Sequence, residues 1–142
     1  MQPLSPARYA NRYEDPATGW FTVTLDADLV LFVTIDGKGT MKGTKAMIGM
    51  FNEIAALREE GEQVDAFFDL VGLTKTPLRA QAILAKWLIG HRDLVNRIAL
   101  VGARAWERKI AQAVLKLARF DRAAFFKSHD EAARWLRPQR GT

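Results

Sequence analysis

The spacing of hydrophobic and polar residues changes along this chain in a regular order. Residues 20–25 alternate between apolar and polar side chains, which is typical of a half-buried β-strand. Residues 29–36 are apolar at nearly every position, which indicates a strand that is covered on both faces. A short polar turn at residues 26–28 separates the two segments, so we expect the two strands to pair antiparallel.

From residue 44 onward, segments with a helical period alternate with segments that have a strand period. The predicted helices span residues 44–60, 77–92 and 106–120, a last helix opens at Ser128, and the predicted strands between them span residues 64–70, 97–102 and 123–127. Strands followed by alternating helices and strands predict an α/β domain. The predicted order is ββαβαβαβα, with a mostly parallel sheet, an antiparallel first strand and helices packed on the sheet.

Local signals mark several of the predicted helix ends. Gly61 follows the first helix and is predicted to cap it in the left-handed conformation. Pro77 suits the first helical position of the second helix. Ser128 and Glu131 are three residues apart, a spacing that predicts a capping box at the start of the last helix.

The predicted domain occupies residues 20–137, between two short terminal segments. Residues 1–19 hold three of the five prolines and few large aliphatic side chains. We interpret them as an extended arm that is loosely ordered unless Tyr9 and Tyr13 dock onto the domain. Residues 138–142 form a short tail, and the length of 142 residues fits one domain.

Composition excludes several classes of chemistry. The chain has no cysteine, which removes a disulfide framework, a thiol nucleophile and a thiolate metal site. No histidine or carboxylate pair stands at metal-ligand spacing, and no nucleophile motif occurs, so we predict no catalytic residue, no metal and no cofactor. The start of the chain lacks signal-peptide features, and no apolar run approaches the roughly 20 residues of a membrane span, so we expect a cytoplasmic protein.

Four segments carry a resemblance to a known family: the Ile35-Asp36-Gly37 turn, residues 64–69, residues 97–102 and residues 124–136. With the order of elements, they make residues 20–137 similar to the SpoIIAA-like fold of STAS domains. More narrowly, the chain resembles single-domain bacterial proteins of the STAS/SEC14 type. This resemblance implies a non-enzymatic binding or regulatory module that acts through protein–protein contact or peripheral membrane association. The SEC14 part of the family name implies the alternative, a small carrier of a lipid or other apolar ligand.

The resemblance also directs attention to the residues after the third predicted strand. STAS domains of the anti-sigma factor antagonist type carry a phosphorylatable Ser or Thr just after the acidic residue that ends this strand. Asp69 matches the acidic position, but the next hydroxyl groups belong to Thr74 and Thr76. This departure argues against a phosphorylation switch. The other interpretation is that Thr74 and Thr76 cap the helix at Pro77.

The second predicted helix is apolar on two sides. Its predicted core face consists of Ala80, Ile83, Leu84, Trp87 and Leu88, and its second apolar face consists of Leu78, Ala82, Ala85 and Ile89. A surface helix needs only one apolar stripe. The surplus predicts a subunit contact (a homodimer or another protein), an apolar ligand beneath a movable helix, or insertion at a membrane surface. The alternative is that the N-terminal arm covers this face.

Two groups of basic residues add candidate anion sites to a chain of formal charge +5. Residues 37–45 contain Lys38, Lys42 and Lys45 beside a helix N-terminus, where a phosphate or carboxylate is favoured. The third helix carries Arg108, Lys109, Lys116 and Arg119 on one side, named the basic strip below. This strip predicts contact with anionic lipid at the inner membrane face or with an acidic partner. Nucleic acid is not expected, because no recognised binding motif is present. The alternative for both groups is a solvated surface.

Overall fold

The structure, a computed structural model, describes residues 7–136, which form a six-stranded sheet with four helices. The strands are β1 (Ala7–Asp15), β2 (Gly19–Asp26), β3 (Val30–Lys38), β4 (Val64–Lys75), β5 (Val95–Val101) and β6 (Ala123–Phe126). The helices are α1 (Met41–Ala56), α2 (Leu78–Gly90), α3 (Ala105–Leu117) and α4 (His129–Leu136). The strands lie in the sheet in chain order. Strands β1 to β3 pair antiparallel and β3 to β6 pair parallel.

The predicted fold class and order of elements are confirmed, and one further strand precedes them. Within the segment interpreted as an arm, β1 pairs with β2 along the edge of the sheet. The ring of Tyr13 stacks on that of Phe21 with their centroids 5.1 Å apart, and Tyr9 also packs against the core. The segment was predicted to be ordered only if these tyrosines dock, and both do. The predicted tail, residues 138–142, lies outside the described residues.

The first helix begins and ends earlier than its hydrophobic pattern indicated. Thr40 is the N-cap of α1, and its side-chain oxygen accepts a hydrogen bond of 2.9 Å from the backbone N–H of Gly43. The helix ends at Ala56, and Leu57 is its C-cap. Gly61 does adopt a left-handed conformation, with φ of 84°, but it lies in the following loop. The prediction that Gly61 caps the helix is therefore wrong.

The fourth strand is longer than predicted, and this changes where α2 begins. Because β4 runs to Lys75, Asp69 lies within the strand and not at its end. Pro77 is the N-cap of α2, one position before the predicted one. At the last helix, the side-chain oxygen of Ser128 accepts a hydrogen bond of 3.2 Å from the backbone N–H of Glu131, as the capping-box spacing predicts.

The helices divide unequally between the two faces of the sheet. Helices α1, α2 and α3 pack on one face, here called the three-helix face, and α4 packs on the other, called the α4 face. Side chains alternate between these faces along β4. Ala66, Phe68 and Leu70 point toward the three-helix face, while Phe67 points toward α4.

Candidate functional site

A cavity of about 210 Å³ lies between the sheet and the helices of the three-helix face. Its lining is predominantly apolar and comes from all the surrounding elements, including Met47 of α1, Leu84 and Trp87 of α2, Ala111 of α3, and Ala66 and Phe68 of β4. A concave apolar site with few polar groups is the usual form of a small-molecule pocket. The cavity is therefore the main candidate site of the described residues.

The space arises where small side chains meet on facing elements. Ala66 on the central strand β4 and Ala111 on α3 both border the cavity, and neither reaches far into it. Helix α3 lies against α2, which holds it beside the cavity. Phe68 also borders the cavity and is only half-buried, although it belongs to a central strand. Protein interiors are normally close-packed, so such a gap is a distinctive feature of this fold.

Glu107 is the most unusual polar group of the cavity lining. It lies in the first turn of α3 and is only 1 % exposed. Its Oε1 accepts a hydrogen bond from Nε of Arg104, which immediately precedes the helix. Its Oε2 is buried and has no hydrogen-bond partner among the described residues. A carboxylate near a helix N-terminus is favoured by the helix dipole, but a buried oxygen without a donor is costly.

Arg104 contacts Glu107, and Tyr13 contributes a second polar atom to the lining. Arg104 also donates a hydrogen bond of 2.6 Å from Nη2 to the backbone oxygen of Leu73, at the end of β4, which fixes the guanidinium beside Glu107. The hydroxyl of Tyr13 is a second buried polar atom without a partner in the part of the chain that the structure describes. Tyr13 also lines the cavity. The site thus combines an apolar body with two unsatisfied polar atoms.

Glu107 was not among the residues predicted from the sequence, although its position on the helix carries a signal. Glu107 precedes Ile110, Ala111 and Val114 by three, four and seven residues, so it shares their helical face. All four residues line the cavity. A lone acidic residue on an apolar helical stripe is the pattern that marks this position.

The predicted residues of α2 fall on both sides of the helix. Leu78 and Ile89 are 78 % and 48 % exposed, and Ala82 is exposed as well, as predicted for a second apolar face. Ala85, which was assigned to the same face, is buried. Trp87 lies on the inner side, where it lines the cavity and donates a hydrogen bond of 2.8 Å from Nε1 to the side chain of Asn52.

The N-terminal arm does not cover the outer face of α2. The part of the arm that the structure describes pairs with β2 and contacts α1. Leu78 and Ile89 remain open to solvent in the presence of this strand. The second apolar face is therefore real but narrower than its sequence pattern indicated.

Asp69 is separated from the α2 residues by the sheet. Its Oδ2 lies 3.0 Å from Nε2 of His129, the first residue of α4, and its Oδ1 accepts a hydrogen bond of 3.1 Å from the backbone N–H of Val71. Asp69 thus belongs to the α4 face. Asp69 and the exposed residues of α2 therefore do not form one surface.

The two candidate threonines do not cap α2. Thr74 is exposed within β4, and Thr76 follows the strand and lines the cavity. Pro77 is the N-cap, and no side chain makes a capping hydrogen bond there. The backbone oxygen of Thr76 instead accepts a hydrogen bond of 3.3 Å from the side chain of Gln81.

The candidate anion-binding residues are all on the surface. Lys38 lies in β3, and Lys42 and Lys45 lie in α1, each with an exposed side chain. The members of the basic strip are exposed too: Arg108, Lys109, Lys116 and Arg119. Leu117 is 62 % exposed beside Lys116. The outer side of α3 is therefore basic with one large apolar side chain.

Residues 7–136 contain no group of three or more histidine and carboxylate side chains that would hold a metal ion. None of the helices within this range is long and apolar enough to cross a membrane.

The family assignment rests on a sequence match to most of the domain. The family model described as SpoIIAA-like matches residues 30–137. The chain belongs to the SpoIIAA-like family. The match begins at β3 and takes in the four helices of the described fold, so the cavity and Glu107 lie largely within the family region. No curated protein sequence matches the chain.

Two solved structures are similar to this member of the SpoIIAA-like family. The first is an uncharacterized protein with a SpoIIAA-like fold from Shewanella loihica, at 17 % identity, a TM-score of 0.61, and coverage of 96 % of this chain and 98 % of that one. The second is an anti-sigma factor antagonist from Mycobacterium paratuberculosis, at 17 % identity, a TM-score of 0.56, and coverage of 88 % and 99 %. At these identities the likeness shows the shared fold.

Proposed function

We propose that this protein is a non-enzymatic binding module that holds a small apolar molecule in the cavity of the three-helix face. The observation that supports this proposal is the cavity itself, about 210 Å³ in volume and lined mainly by apolar side chains. The free energy of an apolar molecule falls when it moves from water into such a lining. Binding needs only a path between the helices, and Leu84 and Trp87 of α2 are both partly exposed where they border the space.

Ligand binding in this cavity also has a consequence for stability. The apolar side chains that border the space lack packing partners on that side, and a ligand that fills the space supplies them. A ligand that binds only the folded chain stabilises it by an amount that grows with the concentration and the affinity of the ligand.

Methyl NMR on methionine-labelled protein tests the proposal, with octane as the probe. Met47 lines the cavity, whereas Met41 at the start of α1 does not. We expect octane to shift the Met47 methyl signal in a saturable manner and to leave the Met41 signal unchanged. An unshifted Met47 signal at the solubility limit of octane contradicts the proposal.

A pair of alanines on α3 supplies the matched variants. Ala111 lines the cavity, and Ala113 is exposed on the same helix. We expect Ala111→Phe to abolish the octane response because its ring occupies the space, while Ala113→Phe should respond like the unaltered protein. Equal octane binding by the two variants contradicts the assignment of the site.

Contact with another protein through α2 is the second candidate function. It is favoured by the exposure of Leu78, Ala82 and Ile89, and one similar structure is that of an anti-sigma factor antagonist. Since Leu84 and Trp87 on the inner side of α2 border the cavity, ligand occupancy and partner contact involve the same helix. This arrangement supports a regulatory role in which the ligand changes how α2 is presented.

Sedimentation equilibrium tests the simplest partner, a second copy of the chain. A homodimer at micromolar concentration is the expected result, and replacement of both Leu78 and Ile89 by Glu should yield a soluble monomer. A monomer before any substitution contradicts the homodimer and leaves contact with a different protein as the remaining form of this candidate.

A further inference from the structure

The two oxygens of the Glu107 carboxyl group have different surroundings. Oε1 is held by Arg104, whose guanidinium is in turn fixed to the backbone oxygen of Leu73. Oε2 is buried in the cavity region without a donor among the described residues. Because the first oxygen is held by Arg104, the second oxygen is the one available to a donor in the cavity.

We infer that the molecule held in this cavity is an alcohol, an apolar body whose single hydroxyl group donates a hydrogen bond to Glu107 Oε2. This inference rests on the proposed function, because it names the chemistry of the molecule that occupies the same site. A carboxylate oxygen only accepts hydrogen bonds, so the complementary group must be a donor. A buried oxygen without a donor carries its full desolvation cost, which a ligand hydroxyl removes.

The charges around Glu107 select a neutral donor over a charged one. Arg104 already supplies a positive charge to the carboxylate. An ammonium ligand adds a second cation to a mainly apolar lining, where an uncompensated charge is expensive. A fatty-acid carboxylate brings a negative charge and no donor toward Glu107, and like charges at short distance repel. A hydroxyl group satisfies Oε2 and leaves the net charge unchanged.

The cavity volume limits the size of this alcohol. An apolar protein cavity of about 150 Å³ holds benzene, which has six carbon atoms. By proportion, a cavity of about 210 Å³ accommodates about eight or nine non-hydrogen atoms. Octan-1-ol has this size and is therefore the probe of choice. Octane, octanoate and octylamine are matched in length and differ only at the end group.

The inference is tested by measuring dissociation constants for the four probes through the Met47 methyl signal. The unaltered protein is compared with the Glu107→Leu variant. Leucine is similar in size to glutamate, and the guanidinium that loses its partner lies largely in solvent, so the substitution leaves no buried charge without a partner. Arg104 is 56 % exposed at its side chain and stays solvated in the variant. Glu60→Leu, at an exposed glutamate outside the cavity lining, is the control.

We expect Glu107→Leu to weaken octan-1-ol binding about tenfold, because a hydrogen bond to a charged acceptor is lost. Octane binding should stay within about twofold, and Glu60→Leu should leave both unchanged. Unaltered octan-1-ol binding by Glu107→Leu overturns the inference but leaves the proposed function standing. Tighter binding of octanoate or octylamine than of octan-1-ol to the unaltered protein also overturns it. Failure of octane and octan-1-ol alike to shift Met47 overturns both the inference and the proposed function.

Discussion

The two faces of one sheet are packed in opposite ways. On the α4 face, a single helix of eight residues closes over a cluster that includes Phe32, Phe67 and Leu136, and its members are buried. On the opposite face, three longer helices leave a cavity of about 210 Å³. The contrast is sharpest between neighbours in β4, because Phe67 is 2 % exposed while Phe68 is only half-buried.

The number of helices that cover a face of the sheet therefore does not set how densely that face is packed. Helix α4 lies directly against β5 and β6. Helix α3 instead lies against α2, so its inner side chains face a space that the sheet does not fill. A filled face supplies stability, whereas an open one supplies room for a ligand. Substitutions on the two faces test this division.

The largest effect is expected from truncating the two adjacent phenylalanines. Phe67→Ala should lower the free energy of unfolding by about 3–5 kcal/mol, because it removes a ring from a filled cluster. Phe68→Ala should cost less than about 2 kcal/mol, because that ring already borders empty space. Urea denaturation followed by circular dichroism measures both. Equal losses contradict the contrast between the faces.

The next effect concerns surface charge on the two faces. Replacing Lys109 and Lys116 by Glu should abolish sedimentation with phosphatidylglycerol vesicles at low salt, since each basic residue near an anionic bilayer contributes about 1 kcal/mol. The matched control replaces Lys127 and Arg134, which are exposed near α4, by Glu and makes the same change in net charge. This control should still bind. Equal binding of the unaltered protein to neutral vesicles contradicts the electrostatic interpretation.

Filling the cavity is expected to have a smaller effect, which is a gain in stability. Ala111→Phe should raise the free energy of unfolding by about 0.5–2 kcal/mol, because its ring makes contacts in empty space. Ala113→Phe, on the exposed side of α3, should stay within about 0.5 kcal/mol of the unaltered protein. Thermal and urea unfolding give the values. A loss of stability in Ala111→Phe means that the cavity cannot accept a ring.

The smallest effect belongs to an ion pair at the rim of the three-helix face. Nη1 of Arg58, just after α1, lies 3.4 Å from Oδ2 of Asp93, which follows α2. The hydrogen bond from Arg58 holds the pKa of Asp93 below its usual range. The pair therefore contributes stability above the pKa of Asp93 in the unfolded chain, and this contribution disappears as the pH falls through the lowered folded value.

Unfolding curves at several pH values measure this effect. Asp93→Asn should be slightly less stable than the unaltered protein at neutral pH, and the two should converge in acid. Arg58→Gln should show the same convergence because it removes the other partner. A difference that persists below the lowered pKa of Asp93 means that the substitution acts through something other than charge.

Sequence patterns predicted the elements better than the site. Alternation along β2 and the helical period of α1 depend on neighbours within a few residues, so their existence was predictable. The position of Asp69 was not, because β4 continues past it to Lys75 and places it opposite His129. Glu107 stood on an apolar stripe, but its burial depends on how α3 approaches the sheet.

The fold class, the order of the elements from β2 onward and the surplus of apolar residues on α2 were all readable from the sequence. These are consequences of periodicity, which each segment carries in its own residues. Only the tertiary structure decided that the two faces differ, that a cavity remains under α3, and that Glu107 Oε2 has no donor among the described residues. These properties depend on distances between elements far apart in the chain, such as Ala66 and Ala111, and no local pattern encodes how closely two such elements approach.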